Sequence, residues 1–471
     1  MRKFIPILAF ALLFFVDLQA QNSSKGIVKL AQYNNPDLPK VDGTDIWNDL
    51  TGWYDPVKKR EYAICGTTDS IYFFDISDPK ELNLIFVKSG RSVSAKNRDF
   101  ETYGHYVYCV SDQAFGDGRL QIFDLQYLPD SVPEVYASSK LGKYTHTIFV
   151  DSVLKRLYMC SNTLNIGFSA MDVLSIEKPD SPSFLFKLNI PAKPSGGTIF
   201  NKVHEMYAKN DTCFLSAEYN GIFFFRLQDA LNQTLLGSIT SYPEQGYNHS
   251  SWLDKSGKYL MFTDEDRALD IKIFDISNYA NPKFVSSFNS SEQAMPHNAY
   301  WIDDFAYVSS YHDGFVVYNI KNPALPEKVA WYDTHPDEPE IYGGYKGCWG
   351  IYPYLPSKNI IASDLTYGIY VLKIDSQYTG IGQTEQLQNQ VQLYPNPSQK
   401  YLKLNETELS SKIENYIIYD LTGKTVESGN FNHGIDISIA HLVDGYYMVL
   451  FTGKDFKYTS HFIKQSAIET P

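Results

Sequence analysis

The sequence predicts an all-β protein: a seven-bladed β-propeller followed by a small immunoglobulin-like β-sandwich. Three observations carry that reading. An apolar run closing in a short turn returns seven times, at Ile71–Pro79, Leu120–Leu125, Ser169–Val173, Ile222–Leu227, Ile271–Ser277, Phe315–Ile320 and Ile369–Ile374. A period of roughly 45–50 residues built only from strand-like pieces is the pattern of a propeller. Aromatic residues make up 15% of the chain, with 36 Tyr and 29 Phe, which suits pleated sheets and argues against disorder. After Ile374 the texture changes to a polar stretch and then to short alternating strands.

Residues 1–20 read as a secretory signal peptide: Arg2 and Lys3, the apolar stretch Phe4–Val16, and a small residue, Ala20, at the cleavage site. Gly26–Tyr33 reads as an outer strand without a blade of its own. It is expected to complete the last blade, which would leave no open sheet edge. Blades then start near Ile46, Arg98, His146, His204, His249, His297 and Trp349, within a propeller domain of residues 21–375. One repeat shows the plan. His297–Ile302, Phe305–Ser310, Phe315–Ile320 and Glu327–Trp331 are four strands separated by Asp303-Asp304, a Gly314 turn and Asn322-Pro323. The third strand is apolar on both faces, as expected when a blade is sandwiched between two others. Residues 376–390 form a polar linker. Residues 391–471 then offer strands at Gln392–Tyr394, Tyr401–Leu404, Tyr416–Tyr419, Gly434–Ser438 and Tyr446–Phe451.

The net charge of −13 and the lack of any basic run exclude a nucleic-acid partner. No segment after the leader is long and apolar enough for a membrane-spanning helix, and a monomer is expected. Cys65, Cys109 and Cys160 occupy one strand position in successive repeats, too far apart to cross-link; with Cys213 and Cys348 they read as buried small hydrophobes. In three repeats Arg226, Asn319 and Lys373 replace the Asp that ends the third strand, so that Asp is a turn former, not a ligand.

The sharpest functional signal is positional. His146, His204, His249 and His297 open the first strands of four consecutive blades, and first strands line a propeller's channel. Glu205, Arg98 and Trp349 share those strand starts, and the facing loops carry Glu218, Asp264-Glu265-Asp266, His312-Asp313 and Asp364. Imidazoles ringed by carboxylates and aromatics form a candidate ligand pocket. The four His suit a divalent ion such as zinc or manganese, and the carboxylates suit calcium. A strand-capping or ligand-lining role is the simpler alternative for the His, since no short metal motif is present. Asp264–Asp266 reads as a solvated acidic loop. No nucleophile elbow, phosphate loop or dinucleotide fingerprint occurs, so the sequence leans away from an enzyme.

Two resemblances add to this. Leu393–Ser398, Tyr419–Lys424 and Leu442–Tyr447 resemble the C-terminal sorting domain of type IX secretion cargo, through Tyr394, Pro395, Asn396, Pro397, Gly423 and Gly445. That implies export across both membranes, contact with the type IX machinery through residues 391–471, and a product released or held at the surface. The repeated turns, with Asn248–Leu253, Pro296–Tyr300 and Gly347–Pro356, resemble LVIVD repeats of the choice-of-anchor B group. This group implies an exported propeller and no particular reaction. The expected function is binding or adhesion to an extracellular glycan, peptide or matrix ligand. The alternative is a metal-dependent hydrolase or lactonase at the channel mouth.

Overall fold

The computed structural model describes residues 24–112, 118–336, 342–379, 393–404, 412–420, 424–431, 436–453 and 456–465. The signal-peptide reading of 1–20, Gly423 and most of the 376–390 linker lie outside them. Two compact units divide the chain, Met1–Ile374 and Asp375–Pro471. Among the described residues one short helix occurs, Ser376–Thr379; the rest of the regular structure is strand.

Among the described residues the first unit is a β-propeller of seven antiparallel sheets: five are four-stranded meanders, the sixth has a fifth strand, and the last takes its outer strand from the N-terminal segment. The first sheet shows why. Ser70–Asp75 has almost every residue buried, whereas the outer strand Asn83–Ser89 is largely exposed. The inner strands are therefore sandwiched between neighbouring sheets, and only the rim is wet. In all seven sheets the ladder between third and fourth strands slips once, for example at Phe73/Phe74, Ile273/Phe274 and Lys29/Ala31. Such a bulge increases the local twist that a radial sheet needs. In four of the sheets the turn after the third strand is closed by that strand's last residue. Asp75, Asp124 and Asp275 accept from the backbone N–H two residues on, and Asn319 does the same for Lys321. Asn thus replaces Asp without loss of this bond, in line with a turn-forming role.

The innermost strands neighbour one another in a ring. Trp47–Asp55 meets Arg98–Tyr103, which meets Thr147–Asp151, then Glu205–Lys209, Asn248–Leu253 and Ala299–Ile302. The sixth sheet touches Cys348–Tyr352 through Phe305–Ser309, and Cys348–Tyr352 returns to Trp47–Asp55. Apolar clusters fill the gaps between adjacent sheets. One of them joins Trp47, Leu50 and Phe74 of the first sheet to Ile361, Ile369 and Val371 of the last. Ile27–Tyr33 pairs with Gly368–Ile374, as the sequence predicts, with Ile27 opposite Ile374 and Tyr33 opposite Ile369. Ser24–Lys25 goes further and adds a fifth strand to the sixth sheet, beside Glu327–Tyr332. All five cysteines are buried and unpaired.

The second unit has two sheets over one core that includes Leu402, Ile418, Val449, Phe451 and Phe462. One sheet holds Leu393–Tyr394, Tyr401–Leu404 and Ile437–Ser438; the other orders Thr425–Asn430, Asn415–Tyr419, Gly445–Gly453 and Phe456–Lys464. Thr425–Asn430 and Phe456–Lys464 are absent from the sequence-based strand set. The first alternates only weakly, and the second is rich in polar residues.

Candidate functional site

At the start of five successive inner strands one ring side chain points toward the propeller axis. His146, His204, His249, His297 and Trp349 form a continuous arc, with ring centroids 4.1, 4.3, 4.1 and 4.8 Å apart in that order. Three residues further along each of the same strands sits another aromatic: Phe149, Tyr207, Trp252, Tyr300 and Tyr352. Phe149, Tyr207, Trp252 and Tyr300 follow one another at 5.6, 4.6 and 4.9 Å, and Tyr354 links Tyr300 to Tyr352 at 5.8 and 5.6 Å. Three strand residues span about 10 Å. Imidazoles thus mark one level of the channel and an aromatic belt the next. Between them lies a cavity of about 310 Å³.

The imidazoles are anchored from outside. His146 Nδ1 lies 2.7 Å from Asp112 Oδ2. His297 Nδ1 donates to the Trp349 carbonyl at 2.8 Å. The single hydroxyl proton of Tyr247 goes to Glu218 Oε1 at 3.0 Å, so Tyr247 accepts from His204 Nδ1 at 2.8 Å. In each case the second ring nitrogen, Nε2, is left for the interior. His146 Nε2 and His204 Nε2 stand 3.0 Å apart. His249 Nε2 is 3.7 Å from Glu265 Oε2, and His297 Nε2 is 3.8 Å from Glu265 Oε1. Tyr311 donates its hydroxyl to Glu265. His249 Nδ1 has no hydrogen bond, and Glu205 Oε2 is 3.5 Å away.

Electrostatics follows burial. Burial pulls His204 and His249 well below the usual imidazole range, helped by the neighbouring imidazoles, and pulls His297 down to about 3. Burial also acts on His146, but the hydrogen bond and charge of Asp112 outweigh it and raise that ring. Glu265 is pushed up by burial to about 7. The other wall holds Asp49, Asp99, Glu101 and Glu205. Burial first, and for Asp49, Glu101 and Glu205 the neighbouring carboxylates second, push these four groups above the ordinary carboxyl range. Gly350 permits this crowding: a Cβ there would lie 2.0 Å from Asp49 Oδ1. Among the described residues no Lys or Arg lines the cavity. Asn298, beside His297, also lines the cavity, and among the described residues its Oδ1 is buried without a donor.

Of the sequence-predicted site residues, His146, His204, Glu205, His249, His297 and Trp349 line this one cavity. Five do not, and each is occupied elsewhere. Arg98 is fully buried, and its guanidinium donates to the carbonyls of Thr67, Thr68, Gly90 and Ser92. It staples the loop between the first and second sheets. Asp264 is paired with Lys272 at 2.9 Å and accepts from Tyr242. Glu218 serves Tyr247 from behind. His312 stacks on Tyr342, with ring centroids 5.1 Å apart. Asp364 accepts from Thr334 and from the Thr366 and Tyr367 amides. The Asp264–Asp266 run is not a uniformly solvated loop either: Asp264 and Glu265 are both buried. Asp49, Asp99 and Glu101 were missed as cavity residues, whereas Glu265, expected on the loops facing the His, does line the cavity. The spacing of a ring residue followed by an aromatic three positions on, repeated in five blades, was the signal that would have marked the belt.

In the second unit Asn396 accepts from the Ile463 amide at 2.9 Å and donates to the His461 carbonyl at 3.3 Å. Ser398 pairs with the backbone of Ile463 and Gln465. The Tyr394–Pro397 segment is thus tied to the final strand, and Gly445 opens the strand before it. Tyr394 is exposed.

Comparison with known proteins completes the picture. Residues 392–465 match the family described as Secretion system C-terminal sorting domain. This tail marks the protein as type IX secretion cargo that engages that machinery and reaches the cell surface or the medium. No curated protein matches the chain. A solved structure, the β-propeller domain of Cps50 (Swd1) from Myceliophteria thermophila, is similar at 11% identity and a TM-score of 0.46, over 74% of this chain and 98% of that one. The propeller assignment rests on the strand ladder, not on that likeness. Among the described residues no helix is long and apolar enough to cross a membrane.

Proposed function

We propose that the protein is an exported binding module: a seven-bladed propeller whose axial cavity captures an amine-bearing extracellular glycan or peptide. One observation carries the reading. A buried wall of four carboxyls and a belt of aromatic rings face a cavity that no Lys or Arg of the described residues lines. An occupant with an ammonium group supplies the missing charge, and its apolar face stacks on Trp252, Tyr300 or Tyr352. The unpartnered Asn298 oxygen asks for a donor in the same place. The seven sheets are read as seven blades of LVIVD type, in keeping with the choice-of-anchor B resemblance. The two sheets of the tail are read as an immunoglobulin-like sandwich.

Calorimetric titration tests this directly, with glucosamine and N-acetylglucosamine as probes. The amine form should bind at least about tenfold more tightly, or about 1.4 kcal/mol, and the Asp99→Asn/Glu101→Gln variant should lose that preference. Equal binding of the charged and neutral sugars, or no binding of either, overturns the reading. A metal-dependent hydrolase or lactonase is favoured by a single feature: Glu265, at about 7, is poised as a general base beside imidazoles. Turnover of a lactone that disappears in Glu265→Gln while sugar binding persists would select it.

A further inference from the structure

We propose that the mouth of the channel is a binding site for one divalent transition-metal ion of the zinc type, held by His204, His249 and Glu265, with His146 and His297 completing the shell. The inference is independent of whether the cavity binds an amine ligand or turns a substrate over.

The geometry is that of a ligand set. One donor atom from each of His204, His249 and Glu265 lies within 4.8 Å of the others. The His146 and His204 Nε2 atoms, 3.0 Å apart, have the separation of two nitrogens on a common ion. With metal–nitrogen bonds of about 2.0–2.1 Å, neighbouring ligands stand roughly 2.9–3.4 Å apart. Hydrogen bonding independently fixes the direction of the lone pairs. Asp112, Tyr247 and the Trp349 carbonyl engage the Nδ1 atoms of His146, His204 and His297. A carboxylate, hydroxyl or carbonyl behind the imidazole is the arrangement that orients metal-bound histidines. Without an ion, two Nε2 lone pairs confront each other and only a proton can lie between them. His249 supplies a further observation: it is almost fully buried, and among the described residues its Nδ1 makes no hydrogen bond, with Glu205 Oε2 3.5 Å away. With Nε2 on an ion, that Nδ1 would carry the proton and face Glu205.

The donor chemistry chooses the ion. Four imidazoles and one carboxylate suit zinc, or manganese in a higher coordination. Calcium takes six to eight oxygens, which this mouth does not offer.

The test uses the full exported chain, stripped with a chelator, dialysed and titrated with zinc, manganese and calcium chlorides. One zinc or manganese ion per chain should bind, with calcium at least tenfold weaker. The His204→Ala/His249→Ala variant should bind none. Should that variant fail to fold, cobalt substitution of the unmutated protein decides: a visible absorption band of an imidazole-ligated ion is expected. Tyr247→Phe should keep the stoichiometry but weaken affinity about 10–100-fold. No stoichiometric metal, metal retained by the double variant, or a preference for calcium would each overturn the proposal.

Discussion

The two walls of the axial cavity are built in opposite ways. On the imidazole wall most polar atoms turned away from the cavity are committed, to Asp112, Tyr247 or the Trp349 carbonyl, and the inward nitrogens are left over. On the carboxyl wall the acids face one another. Asp99 accepts the amides of Phe100 and Ile148, and Asp49 the amide of Leu50, but among the described residues no Lys or Arg lines this wall. One wall has its ring directions fixed from behind; the other gathers acids that burial holds above the ordinary carboxyl range. The lesson is that burial does not make two polar clusters alike. What matters is whether the bonds behind them fix direction or only reduce charge.

The largest test of that contrast lies outside the cavity. Asp264 is as buried as the cavity acids but has its own cation, Lys272, and neither side chain is exposed. Lys272→Met leaves an uncompensated carboxylate and should cost about 3–5 kcal/mol in denaturant unfolding. A cost under about 1 kcal/mol would mean that buried acids here tolerate isolation, and the distinction would fall. Next in size, Asp112→Asn removes the anchor of His146 and should weaken zinc about 10-fold or more, measured by competition with a chelating dye. Unchanged affinity would show that the imidazole wall is not oriented from behind.

The smallest effect concerns the carboxyl wall. Burial, then the charges of Asp99 and Asp49, hold Glu101 well above its ordinary value. The folded chain therefore keeps a proton that the unfolded chain has released. Its stability is whole below the unfolded value of about 4.3 and declines as pH rises toward the folded one. Glu101→Gln should leave Tm unchanged near about pH 4 and raise it near about pH 8. A Tm lower than that of the parent at both values would mean that Glu101 is a paired, stabilising carboxylate.

The ring and its closure were legible because each blade repeats its apolar runs and turns, and repetition survives without any knowledge of contacts. The imidazole level was legible for the same reason: His146, His204, His249 and His297 recur at one place in the repeat. The carboxyls were not. Asp49 lies where the first ladder slips between Trp47 and Leu50. Similar slips occur at Asn248/Ser251 and Cys348/Ile351. An irregular strand start breaks the two-residue alternation that would say which side chain faces the channel. The acidic triplet misled for a related reason. Its three neighbours part company: Asp264 goes to Lys272, Glu265 to Tyr311, and Asp266 to the Tyr247 amide. Arg98 looked like a site residue because it shares the strand start, and only the carbonyls around it reveal its structural task.

The Ser24–Tyr33 segment has a mechanical consequence. By pairing with Glu327–Tyr332 and then with Gly368–Ile374 it fastens two adjacent sheets. It also turns Gly368–Ile374 from a border strand into one flanked on both sides, by Ile27–Tyr33 and by Asn359–Asp364. Ile374 is where the chain leaves for the sorting unit. Traction on the tail during passage through the outer membrane would thus be borne by two ladders at once, and the root of the tail resists peeling.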